Sequence, residues 1–171
     1  MTAGHMTMAE ITGFVADLDG VLTVRPGPDD GSPEISWGDT YFFYAPDGAV
    51  PTATQPFATL VTKNHPGDEL SRLDRPDTFR LNVGAGRDAF AAATGRAPRE
   101  AVPDDDTTDP GAVDTLIAHP VYGSLGWLAV VDPGPRTERA VRELLRTAHH
   151  LARARHERRA HTAPSGVITD R

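Results

Sequence analysis

Apolar residues fall at helical spacing near the two ends of this chain and alternate with polar residues through its middle. Met8, Ile11, Phe14, Val15 and Leu18 recur every three or four positions, which predicts a helix over residues 8–18. Thr7 followed by Glu10 forms a capping box at its start, and Gly20 supplies its stop. Residues 21–24 read as a short strand and 25–33 as a polar loop rich in Pro and Gly. Residues 35–44 carry Tyr41-Phe42-Phe43-Tyr44, a β-prone run ending in the turn Ala45-Pro46-Asp47-Gly48. A strand over 57–62 places Phe57, Thr59 and Val61 on one face. Phe79, Leu81 and Val83 alternate with Arg80 and Asn82, giving a strand with one apolar and one polar face. A short helix follows over 87–94, closed by Gly95, and 96–111 form the least ordered stretch. Residues 113–118 predict a brief helix and 127–131 a buried strand. The last helix starts near Thr137, with Val141, Leu144, Leu145, Ala148, Leu151 and Ala152 in one apolar stripe and Arg139, Arg142, Arg146 and Arg153 off it.

Closely linked strands between 21 and 83 favour antiparallel pairing, and helices bracket both ends. The expected fold class is therefore α+β: a single domain over residues 7–160, mainly an antiparallel sheet, with an N-terminal helix and a long C-terminal helix packed on it. Gly4-His5-Met6 reads as a cloning remnant, so residues 1–6 are expected to be a disordered start and 161–171 a flexible tail.

A chain of 171 residues holds one core and buries roughly 70% of its unfolded surface. Its 39% apolar and 24% charged residues fit neither a membrane-embedded bundle nor an acidic disordered chain. Cysteine is absent, which removes disulfides, thiol catalysis and thiolate metal sites together. With no basic start and apolar run of secretory type, a cytoplasmic, non-membrane protein is expected. Charge is unevenly divided: residues 136–171 hold nine arginines against four acids, while residues 1–135 carry a net −12. So acidic a body repels phosphate backbones, which disfavours nucleic acid as a partner unless the last helix acts alone. Lys63 is the single lysine.

Several segments carry candidate chemistry. Asp17-Leu18-Asp19-Gly20-Val21-Leu22-Thr23 resembles the first motif of haloacid-dehalogenase-type phosphatases, in which two carboxylates work beside magnesium at a strand end. Here those carboxylates fall at the end of a predicted helix, so a magnesium-dependent phosphatase is the alternative rather than the leading reading. Gly84-Ala85-Gly86-Arg87 follows a strand and opens a helix, as in dinucleotide-binding turns, but no second βαβ strand follows. His65 and His119 each precede a proline, and the folded body has no close-spaced histidine pair, so neither a metal nor a cofactor is expected. His149 and His156, seven apart on the last helix, are expected to be solvated.

The densest cluster is His119-Pro120-Val121-Tyr122-Gly123 leading into Gly126-Trp127. Loops with chemical handles, placed on a rigid sheet, mark function more often than core positions do. Lys63, Arg80 and Asn82 project from the polar sides of neighbouring strands. The ligand-binding residues expected are therefore His119, Tyr122, Lys63, Arg80 and Asn82, with His119 titrating near neutral pH and the cations suiting a small polar or anionic ligand. No catalytic residue is assigned, and a protein partner is the other occupant of a binding module. Nucleic-acid contact through the Arg-rich C-terminal helix is a second alternative.

Four blocks together resemble an uncharacterised bacterial domain-of-unknown-function family. They are Gly38-Asp39-Thr40-Tyr41-Phe42-Phe43-Tyr44, the segments 56–62 and 75–84, and His119-Pro120-Val121-Tyr122-Gly123. A strand ending in Lys63, a late Trp127 strand and a final helix are more distantly similar to the MmcQ/YjbR-like group. That likeness implies a small α+β domain with a suggested DNA-binding role, in which the segment of Asp17 is helical.

Overall fold

The computed structural model describes residues 4–162. Helix α1 (Met8–Ala16) begins where Thr7 Oγ1 accepts the Glu10 amide at 3.0 Å, and Asp17 closes it. Gly20 then turns the chain at φ 67° against the Tyr44 ring, where a Cβ would approach to 2.7 Å. There follow β1 (Val21–Val24), β2 (Thr40–Tyr44), β3 (Ala58–Val61), β4 (Arg80–Val83), α2 (Gly86–Thr94), β5 (Leu116–Ala118), β6 (Leu128–Val131) and α3 (Glu138–Thr162). The six strands form one sheet in the order β1-β2-β3-β4-β6-β5, every pairing antiparallel. The α+β class is as the patterning implied.

Register divides the sheet into two unlike faces. Leu60 pairs with Leu81 and Leu81 with Val130, and these side chains join Ile11, Val15, Val141, Leu145 and Ala148 in the main core under the helices. On the opposite face Val61 pairs with Arg80 and Arg80 with Val131, while Thr59 pairs with Asn82. No helix of the main core covers that face; a small apolar cluster of Val61, Leu73 and Val131 and the loops around it do.

Four expectations need correction. Residues 113–118 are not a helix: Leu116–Ala118 form β5 on β6. Asp114 just before it takes a left-handed φ of 49° and turns its carboxylate onto the amides of Gly134, Arg136 and Thr137 and the Thr137 hydroxyl. A run of six residues is too short for its own periodicity to separate helix from strand. Residues 34–36 form a 3-10 turn, so the strand expected from Ile35 starts only at Thr40. Phe57 leaves the face of Thr59 and Val61 and packs against Phe42 and His149, at centroid distances of 6.5 and 6.0 Å. His149 is buried rather than solvated, its Nε2 donating to Asp19 O at 2.6 Å, and His156 lies 5.2 Å from the Tyr44 ring.

The start of the chain also differs from its expectation. Met6 is buried in the core and its amide donates to Pro133 O at 2.7 Å. The C-terminal helix continues through Thr162, and the rest of the tail expected over 161–171 lies outside the described residues. Among the described residues no helix is long and apolar enough to cross a membrane.

The α3 stripe separates by depth: Val141, Leu145 and Ala148 are fully buried, while Leu144 is only partly so. Leu145→Ala should therefore cost about 2–5 kcal/mol in chemical denaturation. Arg139→Ala, at a side chain that projects into solvent, should be close to neutral. Asp114→Ala should cost about 2–3 kcal/mol, since it strips the start of α3 of a charged acceptor. Burial would raise the Asp114 carboxyl, but the Thr137 hydroxyl and the three amides outweigh it and hold it below its ordinary value. Its stabilisation is thus present above the ordinary carboxylate range and is lost as pH falls through the depressed value, which acid titration of stability in wild type and variant will show.

Candidate functional site

The outer sheet face is built around Arg80, which is 1% exposed. Its position on central strand β4 follows from the alternation of Phe79, Leu81 and Val83 into the core. A guanidinium without water must spend its donors on protein acceptors, and this one does. Nε donates to Asn82 Oδ1 at 2.7 Å. Nη1 donates to Asp68 Oδ1 and Ser71 Oγ, both at 2.9 Å, and Nη2 donates to Asp68 Oδ2 at 2.5 Å. Nη2 also lies 3.0 Å from His119 Nε2. Asn82 completes itself by donating Nδ2–H to Thr59 Oγ1 at 3.0 Å.

His119 is held from both sides. The amides of Val121 and Tyr122 donate to its Nδ1 at 3.0 Å each, and the Tyr122 ring lies 4.9 Å away. With two amides on Nδ1, the ring carries its proton on Nε2, where Arg80 Nη2 is a close neighbour rather than a donor and Asp68 Oδ2 lies 3.8 Å away. Burial first, and the Arg80 cation second, push the imidazole from 6.5 down to about 4, against the opposing pull of Asp68. The expectation that His119 titrates near neutral pH is thereby corrected: it is a neutral imidazole. Asp68 is the reverse case. Burial would raise its carboxyl, but the Arg80 hydrogen bonds and charge, with help from His119 and His65, hold it below its ordinary value.

Over this floor lies a cavity of about 420 Å³. Arg80, Asn82, His119 and Tyr122 all line it, so the structure brings together four of the five residues singled out from sequence. Lys63 does not join them. Its ammonium turns to the carbonyls of Ile35 (3.2 Å) and Trp37, because β3 ends at Val61 and the chain has left the sheet face two residues later. Tyr41, the cross-strand partner of Thr59, and Trp127, just ahead of β6, form the aromatic walls. The indole packs so closely on Gly84 that a Cβ there would sit 3.2 Å from the ring.

Sequence reasoning missed Asp68, Ser71 and Asp39. Asp39 is fully buried, accepting from the Thr62 amide (2.8 Å) and hydroxyl (3.0 Å) and from His65 Nε2 (2.9 Å), which orients the His65 ring on the cavity wall. The signal available was the pair Gly67-Asp68 in a polar loop facing a strand with a buried-parity arginine, legible only once β4 is placed. Among the described residues, no group of three or more His, Cys, Asp or Glu converges as a metal would require. Asp17 ends α1 in helical conformation, and the exposed Asp19 pairs with Arg153 at 3.4 Å. In a wholly antiparallel sheet these carboxylates lack the strand-end setting that phosphoryl transfer to an aspartate needs. Gly84-Ala85-Gly86 does link a strand to a helix, but α2 leads to an irregular segment and not to a parallel strand.

Because the folded His119 sits near 4 and an unfolded one near 6.5, the unfolded chain binds the extra proton between those values. Stability should fall as pH drops from about 6.5 to about 4, by on the order of 3 kcal/mol. His119→Gln should flatten that slope while leaving the Asp114 step at lower pH, as read by urea denaturation across the range.

No match is found among curated proteins or among solved structures. A family model does match, over residues 6–161, which takes in every strand, both shorter helices and nearly all of α3. With its Arg80 floor and its six-stranded sheet inside that span, the chain belongs to a family of unknown function, DUF6194.

Proposed function

We propose that this chain is a cytoplasmic binding module for a small polar ligand, held in the cavity over Arg80 by Asn82, His119 and Tyr122. The observation that carries this reading is a complete buried polar network laid as the floor of an aromatic-walled cavity. Ligand pockets combine apolar walls with a few fixed polar groups, and about 420 Å³ suits a metabolite-sized molecule. The rim supports it further. Tyr122 is 50% and Leu125 69% exposed at the mouth, apolar surface that an occupant would remove from water.

Charge decides what the floor prefers. Asp68 neutralises Arg80, every guanidinium nitrogen already has a partner, His119 is neutral and Lys63 is elsewhere. The floor is therefore suited to an uncharged polar group that hydrogen-bonds Asn82 and Tyr122 and rests against the His119 ring, rather than to a bare anion. The DNA-binding role suggested by the MmcQ/YjbR-like likeness finds no support in the last helix. There Arg139 pairs with Glu143, Arg142 with Glu138 and Arg153 with Glu157.

A thermal-shift screen of neutral polar metabolites tests the reading. A binder at 100 times its Kd should stabilise the protein by about 2.7 kcal/mol, and Tyr122→Ala should remove most of that gain while barely changing the ligand-free melting temperature. Shifts that survive Tyr122→Ala unchanged, or no shift from any compound, would sink it.

A further inference from the structure

The cavity over Arg80 does not end at Trp127. A second hollow of about 350 Å³ adjoins it, and Gln55, Pro56, Leu125 and Trp127 line both. Its far wall is Arg155 and Arg159, on the last turns of α3. Arg159 is set there by donating Nη1–H to Thr54 Oγ1 at 2.6 Å. The two hollows form one groove with a neutral polar end and a cationic end, divided by an indole.

The arginines of α3 are not alike. Arg139 and Arg142 are matched by carboxylates one turn away, and Arg142 and Arg146 lie over the Phe14 ring at 5.1 Å. Arg153 is matched by Glu157 and Asp19. Arg155 has no carboxylate partner among the described residues, although the body of the chain is strongly acidic. Its neighbours in charge are cations: burial, then Arg159 and Arg158, press its guanidinium below the ordinary value. Repulsion among these exposed guanidinium groups is screened by water and salt, and an oxyanion held between Arg155 and Arg159 at the hollow would relieve it further. The helix C-terminus offsets part of that repulsion, but it does not explain why the cluster faces a hollow continuous with the polar pocket.

We infer that the ligand is bipartite: an uncharged polar part rests over Arg80, and an oxyanion, phosphate or carboxylate, reaches past Trp127 to Arg155 and Arg159. This rests on the binding-module reading and assigns the ligand's chemical class. It also separates two requirements that the sequence had placed at one spot, since the polar floor and the cationic end lie on opposite sides of one aromatic ring.

Matched probes test it by calorimetry and thermal shift on the full chain: glucose, glucose 6-phosphate and glucuronate, with adenosine and adenosine 5′-monophosphate. In at least one set the charged member should bind about tenfold or more tightly than its neutral partner. Arg155→Ala should erase that difference and leave both the neutral member's affinity and the ligand-free melting temperature unchanged. Tyr122→Ala should weaken both members. Glucose 6-phosphate against glucuronate tells phosphate from carboxylate. Equal binding of neutral and charged members, with dependence on Tyr122, overturns the oxyanion site and leaves the polar pocket standing. Charged-probe binding that ignores Tyr122 means a basic patch unconnected to the pocket and overturns the bipartite groove. Binding by no member of any set overturns both readings.

Discussion

A guanidinium buried on the central strand is the constraint around which the outer half of this molecule is arranged. Removing a charge from water costs several kcal/mol unless it is paired and fully hydrogen-bonded. Arg80 cannot leave β4, because its neighbours Leu81 and Phe79 belong to the core. Its acceptors must therefore come to it. Asp68 and Ser71 bring the segment before β4 across the sheet, Asn82 comes from the same strand, and the loop after β5 sets the His119 ring alongside. Those two segments wall part of the cavity, and one side chain pins them both.

That constraint also accounts for the site's charge. An arginine matched atom for atom by a carboxylate is an electrostatically quiet floor, and a histidine caught between amides and a guanidinium is a quiet neighbour. The same residues that looked like an anion trap as a list form a neutral surface as an assembly. Positive charge suited to an anion lies instead beyond Trp127, where α3 ends. This helix therefore serves two ends of the structure: Val141, Leu145 and Ala148 close the core, and Arg155 borders the groove.

The misreadings share a cause. The immediate sequence neighbours of Lys63, residues 113–118 and His149 point one way, and each is decided by a partner far away. Lys63 is taken by carbonyls 26 and 28 residues earlier, Asp114 by the start of α3, and His149 by the carbonyl of Asp19. Polar groups that must be satisfied when buried go wherever an acceptor is, and local pattern carries no record of that.

Local pattern did determine most of the architecture. The capping box fixed the start of α1, the two-residue alternation from Phe79 to Val83 fixed which side of β4 faces the helices, and Gly95 and the α3 stripe set the remaining helices. These are short-range properties, governed by backbone geometry and by the period of each element. From the same alternation the sequence placed Arg80 and Asn82 together, and the glycine-flanked loop marked His119 and Tyr122. What only the tertiary structure decided is that this polar face is buried, that Asp68 crosses to neutralise it, and that a neutral floor and a cationic rim end up separated by Trp127. Those outcomes depend on which strands become neighbours and which distant carboxylate meets which cation, and desolvation makes them energetically decisive only after the chain has closed around them.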